Sequence, residues 1–203
     1  LPAGRLHSVS SHVLYTHCIS SVSHKLHSVK KYGLNMLVSQ DDQVKAYIKK
    51  IMSQLNKWML KSKISKLIIV ITSKETGEPV ERWQFDVGSS KTVDENADST
   101  TEQANEKTDQ DVQQEIQSIF RQITASVTFL PMLDGNCTFN VLVYADQDSE
   151  VPLEWGDSDA KDIQDAEKVQ LRSFSTNNHK VDTLVSYRYE RHQNVSCLAR
   201  PLY

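Results

Sequence analysis

Five of the seven histidines, His7, His12, His17, His24 and His27, fall within the first 27 residues, a density that raises the question of a metal site. Imidazole ligands need compact pairs, typically at i and i+4 on one helix, with carboxylates nearby to orient the rings. No such pair lies on a recognisable helix here, and Leu1 to Gln40 contains no Asp or Glu, so a loosely structured segment is the better reading. The three cysteines, Cys18, Cys137 and Cys197, are odd in number and far apart, which fits neither a disulfide framework nor a CxxC-type zinc site. Cys137 with His179 as base would make a thiol hydrolase. However, Cys137 falls in strand phase with Phe139, as an inert buried thiol does. There is no GxGxxG, no Walker sequence, no G-x-S-x-G elbow, no HExxH and no kinase signature. The expectation is a protein with no catalytic residues, no metal and no cofactor.

Composition narrows the partners. The chain has 203 residues, 38% of them hydrophobic, which is enough for a core. Its 23 Lys and Arg against 26 Asp and Glu give a net charge of −3, without the basic excess that binding a nucleic-acid backbone requires. The longest pure apolar run, Leu67 to Ile71, falls far short of the roughly 18 residues that cross a bilayer. No nucleic acid and no membrane are therefore expected, and a soluble intracellular protein follows.

The elements can be read from periodicity. Ser39 and Asp42 resemble a capping box, followed by Val44, Tyr47, Ile48, Ile51, Met52, Leu55 and Trp58 on one helical stripe. Lys66 to Thr72 is a β-branched run that predicts a strand covered on both faces. After turn chemistry at Lys74–Pro79, Val80 to Val87 alternates, with Trp83, Phe85 and Val87 on one face and Arg82, Gln84 and Asp86 on the other. The two runs form an antiparallel hairpin, and Arg82 with Asp86 would be a surface ion pair. Gly88 to Gln110 carries Asp94, Glu95, Asp98, Glu102, Glu106 and Asp109 and reads as a flexible acidic loop. Thr108 and Asp111 cap a second helix with the stripe Val112, Ile116, Ile119, Phe120, Ile123 and Val127, ended by Leu130-Pro131. Cys137 to Ala145 is a further strand. Asp146 to Tyr187 has scattered apolar anchors and short strand patterns at Val169–Ser175 and Leu184–Tyr189, the texture of a long arm laid across a core. These residues alone define an α+β binding domain.

Several segments go further. Lys31-Tyr32-Gly33-Leu34 leading into a helix, Glu81 to Asp86, Arg121 to Ala125 through Phe129-Leu130-Pro131, and Val169 to Thr176 with His179-Lys180-Val181 occur in one order. Together they resemble the HORMA domain of the mitotic-arrest-deficient spindle-checkpoint family. The resemblance implies three helices on a mainly antiparallel sheet, with a HORMA domain over 29–188 divided into a core, 29–145, and a mobile safety belt, 146–188. Residues 1–28 and 189–203 depart from the family's pattern and are expected to be atypical ends. The belt would close over a short partner peptide added as a strand beside Cys137, Thr138, Phe139, Asn140, Val141, Leu142, Val143 and Tyr144. Trp155, Phe174, His179, Val181 and Leu184 would belong to the belt. Arg121 and Gln122 would form the face through which a closed molecule recruits an open one. The implied partners are a peptide of the anaphase-promoting-complex co-activator, a coiled-coil kinetochore receptor, a second copy of the chain and an AAA+ remodelling ATPase. The implied setting is the nucleus, the mitotic kinetochore and the cytoplasm. Within the same fold, an accessory subunit of translesion polymerase zeta or a meiotic axis adaptor is the rival reading.

Overall fold

In the computed structural model, which describes residues 26–89, 107–131, 133, 136–176 and 179–188, the apolar run Leu67 to Ile71 lies fully buried at the centre of a sheet. It belongs to β3 (Ile64–Ser73), which pairs antiparallel with β4 (Pro79–Ser89) on one side and β5 (Cys137–Ala145) on the other. β8 (His179–Tyr187) adds to the far side of β4, and β6 (Glu167–Gln170) and β7 (Phe174–Ser175) share the outer edge of β8. The order is β5-β3-β4-β8, then β6 and β7.

Alternation along these strands decides what lies inside. Leu67, Ile69, Trp83, Phe85, Val181 and Val185 point to one face and are buried against two helices. Helix α1 (Asp42–Leu60) contributes Ile48, Ile51, Met52, Leu55, Trp58 and Met59. Helix α2 (Asp109–Ser126) contributes Val112, Ile116, Ile119, Phe120 and Ile123. The helix implied ahead of these would fall outside the described residues, as do His7, His12, His17, His24, the acidic stretch 90–106 and the tail 189–203.

The expected caps hold at α2 and shift at α1. Thr108 and Asp111 make a reciprocal capping box. At α1 the cap is Asp41, whose carboxylate accepts from the Gln43 and Val44 amides at 2.8 and 3.2 Å. Ser39 instead ends the preceding strand, and its buried hydroxyl accepts from the Asp41 amide at 3.0 Å. Val127 is not part of the buried stripe. The helix ends at Ser126, and Val127, at the C-cap, is 59% exposed. The amides of Thr128, Phe129 and Leu130 bond back to Ala125 and Ser126, so the turn is made before Pro131.

The segment up to Gln40, expected to be loose, contains a hairpin of β1 (Leu26–Lys31) and β2 (Leu34–Ser39). Lys31 to Leu34 therefore turns between strands and does not lead into a helix. Tyr32 and Gly33 take φ of 52° and 71°, the left-handed pair that a two-residue hairpin needs. Tyr32 stacks on Phe120 with 5.5 Å between centroids, and Gln117 Nε2 donates to the Tyr32 carbonyl at 3.0 Å, so the turn is pinned to α2. A Cβ on Gly33 would stand 3.0 Å from Gln117 Nε2, whereas one on Gly77, at the same φ of 71°, would meet nothing within 4 Å. Gly33→Ala is expected to cost about 1–2 kcal/mol in urea unfolding, more than Gly77→Ala, because strain and crowding act together at Gly33 alone.

Candidate functional site

β5 runs against β3 from Cys137 opposite Ser73 to Ala145 opposite Ile64, and no strand takes its other edge among the described residues. Phe139, Val141 and Val143 pack on the helical side of the sheet. Phe139 meets the Tyr47 ring edge-on at 5.7 Å, which sets α1 over β5. Thr138, Asn140, Leu142 and Tyr144 alternate to the opposite face, where Lys66 Nζ lies 5.5 Å from the centre of the Tyr144 ring. Cys137 is buried beside Ile71, and burial pushes its thiol pKa up, with the Glu81 charge adding to the effect. His179 pairs with Ser89 at the opposite end of the sheet from the Cys137–Ser73 pair. The two residues are not brought together, and burial holds the His179 pKa below its usual value. Among the described residues no group of three His, Cys, Asp or Glu side chains could hold a metal ion, and no helix is long and apolar enough to cross a membrane.

Residues 146–166 form an arm that contacts α1 on one side of the sheet and Arg82 of β4 on the other. It leaves β5 with the Asp146 amide on the Lys63 carbonyl and the Lys63 ammonium 2.6 Å from Asp148. That pair keeps both members charged, raising Lys63 and lowering Asp148. The arm then follows α1. Trp58 Nε1 donates to the Glu150 carbonyl at 3.1 Å, the Trp155 ring stands edge-on to Trp58 at 5.0 Å, and Glu154 pairs with Lys50 at 2.8 Å. A cleft of ≈ 420 Å³ remains between arm and helix, lined in part by Gln54, Lys61, Glu150 and Pro152. Five residues beyond Trp155 the chain is on the other face. There Arg82, which alternates with the core residue Trp83, donates from Nε to the Ala160 carbonyl at 3.3 Å and faces Asp162 at 3.4 Å. This corrects the expected Arg82–Asp86 surface pair. Arg82 is only 6% exposed and held by the arm and Gln84, while Asp86 lies 3.5 Å from Lys66, its cross-strand neighbour.

The rest of the expected belt is built into the sheet. Phe174 and Val181 are buried, Trp155 is half-buried, and Leu184 points to the face away from the helices. Leu171 and Val185, which are not among the belt residues expected from the sequence, fill the core. Period-2 alternation with Val181 marks Val185, though nothing local shows which strand it meets. α2 also holds this region. Gln122 Oε1 accepts the Arg172 amide at 2.7 Å, and Glu115 Oε2 accepts that of Ser175 at 2.8 Å. Arg121 is exposed beside them.

One further ionisable group was missed. Glu81 sits in phase with Trp83 and Phe85 on the apolar face, is fully buried, and accepts from Trp83 Nε1. Burial raises its pKa from 4.5 to about 7, against the lowering effect of the Trp83 hydrogen bond.

A HORMA-domain family model matches residues 9–179. The chain is 61% identical over 160 residues to the mitotic spindle checkpoint component mad2 of Schizosaccharomyces pombe, covering 79% of this chain and 77% of that protein. It is 46% identical over 168 residues to the mitotic spindle checkpoint component MAD2 of Saccharomyces cerevisiae, covering 80% and 81%. A chain in the crystal structure of a mitotic checkpoint complex superposes with a TM-score of 0.78 at 49% identity, covering 93% of this chain and 99% of that one. An antiparallel sheet backed by helices, with an arm folded around it, is thus a HORMA architecture, and the chain belongs to the HORMA-domain family. Within that family its similarity is to the spindle-checkpoint members, and its function is in the mitotic checkpoint. The polymerase-accessory and meiotic-axis readings are not favoured.

The Glu81 environment gives a pH dependence of defined sign. As pH rises the unfolded chain loses this proton near 4.5, whereas the folded chain keeps it until about 7. The carboxyl therefore lowers stability progressively between those values and has no further effect above them. Glu81→Gln removes this contribution. The stability of the natural chain relative to the variant is expected to fall by on the order of 3 kcal/mol between pH 4.5 and 8, read from denaturant midpoints.

Proposed function

We propose that this checkpoint protein captures a short peptide of the anaphase-promoting-complex co-activator, and of a coiled-coil kinetochore receptor, as a strand added to the outer edge of β5. The arm then holds the peptide in place and anaphase is delayed. The observation that carries the reading is the combination at β5: an edge without a strand among the described residues, and an arm just beyond it that holds α1 on one side of the sheet and Arg82 on the other. Backbone hydrogen bonds along Cys137–Tyr144 supply generic affinity, and side chains of the arm, Trp155 foremost, supply selectivity. The similarity to a chain of a mitotic checkpoint complex supports a role inside an assembly. The protein acts by binding, with no catalysis of its own, at kinetochores and in the nucleus and cytoplasm. An AAA+ ATPase resets it.

Self-association through α2 belongs to the same reading, with a difference between its two residues. Arg121 is free to face a second copy, whereas Gln122 is engaged with the Arg172 amide. Arg121→Ala is expected to weaken self-association in analytical ultracentrifugation while shifting stability by less than about 0.5 kcal/mol. Unfolding of the variant would make Arg121 structural and remove it from the interface. The capture itself is tested by titrating the purified chain with a synthetic co-activator peptide while following tryptophan fluorescence. A saturable change is expected, because Trp155 and Trp58 lie where the arm meets α1. A Trp155→Phe chain is expected to lose most of that change. Absence of any saturable binding in the natural chain rejects the reading.

A further inference from the structure

Besides the Trp58 contacts and the Asp146 amide bond, the arm is tied to the rest of the molecule by charged contacts of two kinds. Lys50–Glu154 and Lys61–Glu150 are exposed pairs, and Lys63–Asp148 is exposed on its acidic side. Contacts of this kind are individually weak and screened by salt. Arg82 is different. It stands on β4, two strands in from the β5 edge, with its side chain 7% exposed and its guanidinium spread over three acceptors. Nε reaches the Ala160 carbonyl at 3.3 Å, Nη2 the Asp162 carboxylate at 3.4 Å, and Nη1 the Gln84 amide oxygen at 2.8 Å. Gln84 is fixed in turn by donating to both oxygens of Asp86 at 2.8 and 3.0 Å, and Asp86 faces Lys66 at 3.5 Å. The sheet thus aims the planar fork, and the arm supplies matching acceptors.

Resting on the capture reading, we infer that Arg82 is the catch that keeps the arm closed: a positioning residue whose loss lets a captured peptide leave faster. Its contact with Gln84 lies within β4 and persists whether the arm is closed or open. Its contacts with Ala160 and Asp162 exist only when the arm is down. An interaction made in one state and lost in the other shifts the balance between them. It is also the arm's one buried charged tether among the described residues, so opening must break hydrogen bonds to a charged donor that water replaces only as the arm lifts.

The test compares Arg82→Gln and Asp162→Asn with the natural chain in two measurements. Without peptide, hydrogen exchange at amides 157–163 is expected to accelerate about tenfold or more in Arg82→Gln and less in Asp162→Asn, with the amides of β3 and β5 unchanged. With bound synthetic co-activator peptide, the dissociation rate is expected to rise by a similar factor while the thermal midpoint of the sheet moves little. Equal arm exchange in Arg82→Gln and the natural chain overturns the catch. Should Arg82→Gln fail to fold, Asp162→Asn decides, since its side chain is 76% exposed and its loss leaves the sheet intact; unchanged arm exchange there overturns the proposal. A natural chain that retains no peptide rejects the capture reading instead, and the peptide-free exchange still decides on Arg82.

Discussion

The pairing of β8 with β4 governs the rest of the molecule. Nine residue pairs, from Glu81–Tyr187 to Ser89–His179, fix the end of the described chain to one side of the sheet. β6 and β7 then belong beyond β8, so the consecutive strands β5 and β6 lie at opposite edges. A connection between opposite edges has to cross a face. The helical face is filled by α1 and α2, and the chain between β5 and β6 makes its second set of contacts on the other face, at Arg82. The arm is thus a consequence of strand order, and so is the absence, among the described residues, of a strand beyond β5.

Regular periodicity made much of this legible in the sequence. The β3–β4 hairpin, the two faces of β4, the stripe and capping box of α2 and the strand from Cys137 to Ala145 all follow from alternation, helical spacing and short-range capping chemistry. The β1–β2 hairpin has no such local signature, because Lys, Ser and Asn interrupt its alternation and its turn is held by a residue 85 positions away, Gln117. The same limit explains Arg82 and Asp86. On one strand they look like natural partners, but register puts Lys66 across from Asp86, and topology returns the chain at Ala160 to Arg82. Edge placement, arm path and partner choice are non-local, and no local pattern encodes them.

α2 joins the two proposed surfaces. Its buried stripe anchors it to the sheet, while Glu115 and Gln122 hold amides of Ser175 and Arg172 in the returning chain. A rearrangement that moved this returning segment would free Gln122 beside Arg121. Recognition of a second copy on α2 would then report the state of the chain that leads into β8.

The composition of β5 has a consequence of its own. From Cys137 to Ala145 the strand reads CTFNVLVYA, with no charged residue, no proline and no glycine. Strands that border solvent usually carry a lysine, a proline or a bulge that discourages copies from zipping together. On the capture reading proposed above, a surface that accepts a partner's backbone cannot carry such a gatekeeper without rejecting its partner too. On the same reading, an unoccupied β5 edge would be open to pairing with another copy of the strand, so occupancy by a partner would also guard the chain against aggregation.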